Sequence, residues 1–221
     1  MKEFVTKILE WGEVWALFIP LIILIVKKRT SFQLLPIVIY LLFALIINFT
    51  EDFIQKYGIK LSFTNQPGDN GFIYNTHSIV RFALFGWFFI RLKQPLYKFI
   101  QKVIPVFFIA FILVNFTVYE NYFSFSSHTF AFESLLLLVY CFLFYLNYLN
   151  HSQNVSYKGS SFWVVTGLSI YVVIDFPIFL FFTTLSLKVK HFAISIWNVQ
   201  NIVYIILCCF FAKAFLNQDH E

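Results

Sequence analysis

The segment Ser161–Leu187 reads SFWVVTGLSIYVVIDFPIFLFFTTLSL and carries one ionisable side chain, Asp175. An apolar run of this length has few folded solutions. About 20 apolar residues match the hydrocarbon thickness of a bilayer. In lipid each backbone N–H and C=O must be satisfied within the chain, so such a run forms a spanning helix. The pattern recurs along the sequence, at Trp11–Val26, Leu34–Phe49, Phe72–Leu92, Val103–Tyr119, Ser127–Asn147, Ser161–Leu187 and Phe192–Phe215. The first two are short at their strict apolar limits. The first is expected to extend backward, because FVTKILEWGEVWALFIPLIILIV keeps helical periodicity. Connections are short except residues 50–71, which contain the turn-rich TNQPGDNG. No soluble domain fits between the spans and no internal repeat is evident. The expectation is a single all-α domain over residues 1–221, a polytopic seven-transmembrane helix bundle.

Composition agrees. Charged residues make up 12% of the chain and hydrophobic residues 60%, whereas about a quarter of a soluble domain is charged. No cleavable signal peptide is evident, since the first apolar run leads into KKR. Cys141, Cys208 and Cys209 all lie in apolar runs and read as small packing residues. The net charge of +5 comes from basic residues spread among short loops. That distribution suits contact with anionic lipid headgroups and gives no support to a nucleic-acid partner.

Lysine and arginine favour the cytoplasmic side of a membrane. One set of helix ends holds nine of them: Lys27, Lys28, Arg29, Arg91, Lys93, Lys98, Lys102, Lys158 and Lys213. The opposite set holds six: Lys2, Lys7, Lys56, Lys60, Lys188 and Lys190. The expected orientation is N-terminus out and C-terminus in, as a multi-pass protein of a bacterial inner membrane.

Ionisable residues inside a span are costly, and each is a candidate functional residue. In YNTHSIVRF, Tyr74, His77 and Arg81 follow i, i+3, i+7 and share a helix face, with Asn75 beside them. In SSHTFAFESLLLL, Glu133 falls about 9 Å from the start of its helix at 1.5 Å per residue. YVVIDFPIF places Tyr171 and Asp175 at i, i+4, with Pro177 just beyond. WNVQNIVY carries Trp197, Asn198, Gln200, Asn201 and Tyr204. Four helices thus bring polar groups to a similar level in the outer half, whereas the inner halves read LLLLVYCFLFYL and IILCCFFA. The pattern predicts a polar cavity toward the outside, with Arg81 paired to Glu133 or Asp175. The candidate ligand-binding residues are Tyr74, Asn75, His77, Arg81, Glu133, Asp175, Trp197, Asn198 and Asn201. Taken singly, Asn198, Asn201, Thr129 and Tyr171 are better read as helix–helix glue, worth about 0.6–2 kcal/mol per contact. Trp11, Trp15, Trp163 and Trp197 sit near span ends as interfacial anchors.

Several chemistries fit poorly. The last span has no mid-membrane lysine for a retinal Schiff base, and histidine pairs for two haems are missing. A membrane zinc hydrolase would draw on His77, Glu133, Asp175 and His128, but no HxxxH or HExxH pair is present and Arg81 opposes a nearby cation. GxSxG and a phosphate-cradling glycine loop are absent, and so are the repeats of a transporter. No cofactor or metal is expected.

SSFWVVTGLSIYVVIDFPIF followed by ISIWNVQNIVYIILCCFFAKAF, with FESLLLLVYCFLFYL before them, resembles the seven-span membrane proteins of Bacteroidota. Some of these resemble the membrane sensor part of histidine kinases, and others stand alone. The likeness covers the third to seventh spans. It implies matching positions at Tyr74, Asn75, His77, Glu133, Ser134, Trp197, Asn198 and Asn201, with Arg81 standing where an acidic or neutral residue is expected. In kinase-fused relatives the effector follows the last helix on the cytoplasmic side. Here the chain ends in AKAFLNQDHE, which implies a stand-alone form. The expected function is a sensor-like or signalling membrane protein whose outer cavity binds a small ligand, a lipid or a partner helix. The alternatives are a metal-dependent lipid hydrolase and a structural or assembly partner of another membrane protein.

Overall fold

A computed structural model describes residues 9, 11–28, 31–57, 70–92, 94, 97–150, 159–188 and 190–218. Among the described residues there is no strand, and seven α-helices carry the fold. They are α1 (Gly12–Lys27), α2 (Leu35–Tyr57), α3 (Gly71–Arg91), α4 (Lys98–Val114), α5 (Ser127–Asn150), α6 (Ser160–Lys188) and α7 (Lys190–Leu216). A 3-10 turn, Phe32–Leu34, leads into α2, and a π-helical turn, Asn115–Tyr119, closes α4.

Local chemistry sets the helix ends. Lys28 takes the left-handed conformation after α1, with φ 53°, and its N–H reaches Leu24 O at 3.1 Å. At the start of α3, a Cβ on Gly71 would come within 2.4 Å of Phe125 N, so only glycine lets the backbone of residues 124–125 approach. α2 runs past the apolar limit at Phe49, because Glu51 and Ile54 continue its buried face.

The helices alternate in direction. At one end, Asn48 Nδ2 of α2 donates to Glu13 O of α1 at 2.9 Å, and Asn201 Nδ2 of α7 donates to Leu9 O at 2.9 Å. At the other end, Ser31 N donates to Gln218 Oε1 at 3.2 Å, Ser161 Oγ of α6 donates to Gln33 Oε1 at 3.3 Å, and Arg91 of α3 donates to the Phe32 carbonyl. α1 packs on α2 and α7, α7 on α6, α6 on α5, α5 on α3, and α3 on α2. Six helices therefore close a ring. α4 lies outside it, against α3 and α5. The tightest seam is α6 on α7, where a Cβ on Gly167 would meet Phe210 Cβ at 2.4 Å. Small residues that let helix backbones meet are how bundles pack in lipid.

Inside the ring, the half toward Gln218 is filled by apolar side chains such as Phe85, Phe88, Phe89, Tyr140, Leu168, Leu207 and Phe211. Outside it, Phe18, Ile22, Leu42, Ile46, Phe107, Phe142, Val173, Leu180 and Ile206 are exposed, as lipid-facing side chains must be. Among the described residues, five helical segments are long and apolar enough to cross a membrane: Phe32–Ile54, Lys98–Tyr119, Ser127–Asn150, Ser160–Phe182 and Ile196–Leu216. The chain is a helical membrane protein. α1 and α3 fall outside this set for different reasons. α1 has 16 residues, so it rises only about 24 Å. α3 is long enough at 21 residues, but Asn75, His77, Ser78 and Arg81 dilute its first half.

Candidate functional site

Arg81 lies two to three turns into α3 and is 3% exposed. A guanidinium there must be matched, since it holds its proton and cannot be neutralised cheaply. Glu133 of α5 supplies the match: Nε donates to Oε1 at 2.6 Å and Nη2 to Oε2 at 2.8 Å, a two-pronged pair. Nη1 donates to Tyr171 OH of α6 at 2.7 Å. The rings of Phe130 and Tyr171 lie 5.5 and 5.3 Å from the guanidinium carbon. Asp175 Oδ2 stands 3.9 Å from Nη2, at ion-pair rather than hydrogen-bond distance. Each carboxylate is held in turn: Ser78 Oγ donates to Glu133 Oε2 at 2.5 Å, and Ser134 Oγ to Asp175 Oδ2 at 3.0 Å. The expected ion pair is thus formed, with Glu133 as the principal partner and Asp175 as the second.

Arg81 also faces a narrow cleft in the middle of the ring, whose interior has room for about one water molecule. Glu13 of α1, Asn48 of α2, Tyr74 and His77 of α3, Phe130 of α5, Tyr171 of α6, and Trp197, Gln200 and Tyr204 of α7 complete its lining. Every helix of the ring contributes, and α4 does not. Three of these residues are buried with a polar atom that has no hydrogen-bond partner: Asn48 Oδ1, His77 Nε2 and Gln200 Oε1. One turn beyond Asn48, Glu51 is 2% exposed and its Oε1 is likewise unpartnered. Buried polar atoms are ordinarily paired, at a cost of about 1–3 kcal/mol when they are not. Four such atoms lie in one neighbourhood.

The nine candidate residues divide. Tyr74, His77, Arg81 and Trp197 line the cleft. Glu133 and Asp175 hold Arg81 without lining it. Asn75, Asn198 and Asn201 do not line it. Asn75 is a fastener: Nδ2 donates to Tyr122 O and Ser124 O, both at 2.7 Å, and Oδ1 accepts from Ser126 N at 3.1 Å, which pins the α4–α5 connection. Asn201 ties α7 to the start of α1 through Leu9 O. Asn198 is only half-buried. Trp197 is less an interfacial anchor than a wall of the cleft, set against Tyr74 at 6.0 Å and Phe179 at 6.5 Å between ring centres.

Sequence reasoning left out Glu13, Asn48 and Glu51. The signal for α2 was available: Tyr40, Ala44, Asn48 and Glu51 follow i, i+4, i+8, i+11, and all four are buried on one face. Among the described residues, no group of three or more His, Cys, Asp or Glu side chains is placed to hold a metal ion. His128, one of the ligands considered for zinc, is exposed and stands 3.8 Å from Glu120 at the surface. No family model, no curated protein and no solved structure matches this chain.

Proposed function

We propose that the chain is a sensor-like signalling protein of a bacterial inner membrane, crossing it seven times with its N-terminus out and its C-terminus in. In this reading a small ligand enters the central cleft from the outer side. The observation that carries the proposal is the set of buried, unpartnered polar atoms of Asn48, His77 and Gln200, converging in one cleft from three helices. A bundle held together only by polar glue would pair these atoms with one another.

Charge supports the orientation. Lys27, Lys28, Arg91, Lys98, Lys102 and Lys213 cluster at the end of the bundle opposite the cleft, where lysine and arginine mark the cytoplasmic face. A ligand that bridges α1, α2, α3 and α7 can shift those helices against one another, and α7 carries the shift to the cytoplasmic end.

Native mass spectrometry of the detergent-purified protein tests the binding half of the proposal. A bound low-mass species that is lost in a His77→Phe/Gln200→Leu variant supports it. A cleft holding only water in both proteins rejects it. The signalling half predicts motion: with the native cysteines replaced, a label pair at Ser161→Cys and Leu216→Cys should change its separation when the species is removed.

A further inference from the structure

Granting a ligand-binding cleft, we infer that its occupant is a small organic ammonium ion, a primary amine carried in protonated form. Three features of the cleft lead to this chemistry independently.

The unpartnered atoms are of one kind. Asn48 and Gln200 each present a carbonyl oxygen, and Glu51 nearby a carboxylate oxygen. For Asn48 the assignment is fixed by its neighbour, because Nδ2 is already spent on Glu13 O. The imidazole Nε2 of His77 joins them as an acceptor when the ring proton sits on Nδ1. Unpartnered acceptors call for an occupant that donates, and a primary ammonium brings three donors.

Charge points the same way. The guanidinium of Arg81 is answered by Glu133 at 2.6 Å and backed by Asp175 at 3.9 Å. That leaves Glu13 on the cleft wall and Glu51 one turn past Asn48, and among the described residues no ion pair joins either to a base. With Arg81 matched by Glu133, these two carboxyl groups are the ones a bound cation would pair with.

The walls are aromatic. Tyr74, Phe130, Tyr171, Trp197 and Tyr204 all line the space. Aromatic faces hold an organic cation through their quadrupole and cover its alkyl part, as they would not cover a hydrated metal ion. The interior of the cleft is the size of the ammonium head alone, which limits the ion to a short alkyl part held at the aromatic mouth.

The probes are methylammonium, ethanolamine, tetramethylammonium, sodium and acetate, each titrated at constant ionic strength against the thermal unfolding of the detergent-purified protein. Trp197 emission serves as a second readout, in a variant with the other four tryptophans replaced by phenylalanine. Methylammonium or ethanolamine should raise the midpoint saturably and change the emission. Tetramethylammonium, which has no N–H to give, should bind at least about tenfold more weakly, the effect of losing one charge-assisted hydrogen bond. Asn48→Leu should weaken the amine by a similar factor. If that variant does not fold, since Asn48 also secures α1, Gln200→Met serves, because it replaces the side-chain amide and its unpartnered oxygen by a thioether of similar length. Equal binding of tetramethylammonium and methylammonium overturns the proposal, and so does the lack of any ammonium response. The two failures of the wider reading separate cleanly. If acetate or sodium binds and Gln200→Met abolishes it, the cleft takes a ligand of another class. If no probe acts and nothing co-purifies, the ligand-binding reading falls with this one.

Discussion

A buried arginine gains most of its stability from the groups that match it, so Arg81 is the residue whose neighbours should be most strongly coupled. Glu133→Leu leaves the guanidinium in an apolar bundle with only Asp175 at 3.9 Å, and the expected loss is about 3–5 kcal/mol. Arg81→Leu strands Glu133 and Asp175 together and should cost a similar amount. The Arg81→Leu/Glu133→Leu protein should lose markedly less than the two single losses combined, because only Asp175, still bonded to Ser134, is then left without its cation. Unfolding equilibria of the four proteins in one detergent give the coupling directly, and simple additivity would dissolve the pair. Tyr171→Phe is the milder case, removing the acceptor at 2.7 Å from Nη1, with an expected loss of about 1–3 kcal/mol. This cluster was legible in the sequence because ionisable residues in apolar spans are rare, and helical rise alone brought Arg81, Glu133 and Asp175 to one depth. Asn75 and Asn201 show where that signal stops. A polar residue in a span reports that it has a partner, but not whether the partner is a ligand or a nearby carbonyl such as Ser124 O or Leu9 O.

At the scale of the helices, the seam between α6 and α7 depends on Gly167 having no side chain. Gly167→Ala places a methyl group 2.4 Å from Phe210 Cβ, part of the side chain nearest the backbone, so α7 itself must move away. The expected cost is about 1–3 kcal/mol, as for other overpacked interiors. Gly86→Ala is the matched control: its new Cβ would lie 3.8 Å from Tyr140 OH, an ordinary contact. There the higher helix propensity of alanine, about 1 kcal/mol, should leave the protein as stable as before or more so. Midpoints of thermal unfolding for the two variants should therefore move in opposite directions, and a Gly167→Ala protein that unfolds at the parent temperature would refute the close seam. The helices themselves were readable, since each apolar run became one helix with ends shifted by at most about five residues, except α2, which runs eight residues past Phe49. Two features were not. The π-helical turn at Asn115–Tyr119 follows from contacts distant from its own periodicity: Asn115 Nδ2 reaches Glu120 Oε2 at 2.8 Å and Ser126 Oγ at 3.1 Å, across the α4–α5 connection. The exclusion of α4 from the ring was equally hidden, because a lipid-facing helix and a core helix are both apolar, and only packing tells them apart.

For the whole molecule, the number of crossings turns on α1, and the ring gives a reason to count it. Its 16 residues rise about 24 Å, less than the roughly 30 Å of a bilayer core, so length alone does not carry it across. Yet Glu13 at its start is bonded to Asn48 near the far end of α2, and α1 packs against α2 and α7. A helix wedged between two longer spans shares their depth, and local thinning of the bilayer or flanking polar residues can absorb the few missing ångströms. α3 is held in the same way: Arg81 is bonded to α5 and α6, while its apolar second half packs on α5 through Phe89 and Tyr140, whose rings stack at 5.0 Å. Seven crossings put the two termini on opposite sides, whereas six would put them on the same side. In the proposed orientation the basic cluster around Lys27, Lys28, Arg91, Lys98, Lys102 and Lys213 meets the anionic inner leaflet, at about 1 kcal/mol for each lysine or arginine near the surface. We expect alkaline phosphatase fused after Gln218 to be inactive and a fluorescent protein fused there to mature, with the reverse for fusions before Met1. Termini on the same side would remove α1 from the membrane and open the ring. Opposite termini with the C-terminus outside would keep the ring but turn the cleft, with Glu13, Asn48 and Gln200, toward the cytoplasm, so that its amine would have to come from within the cell.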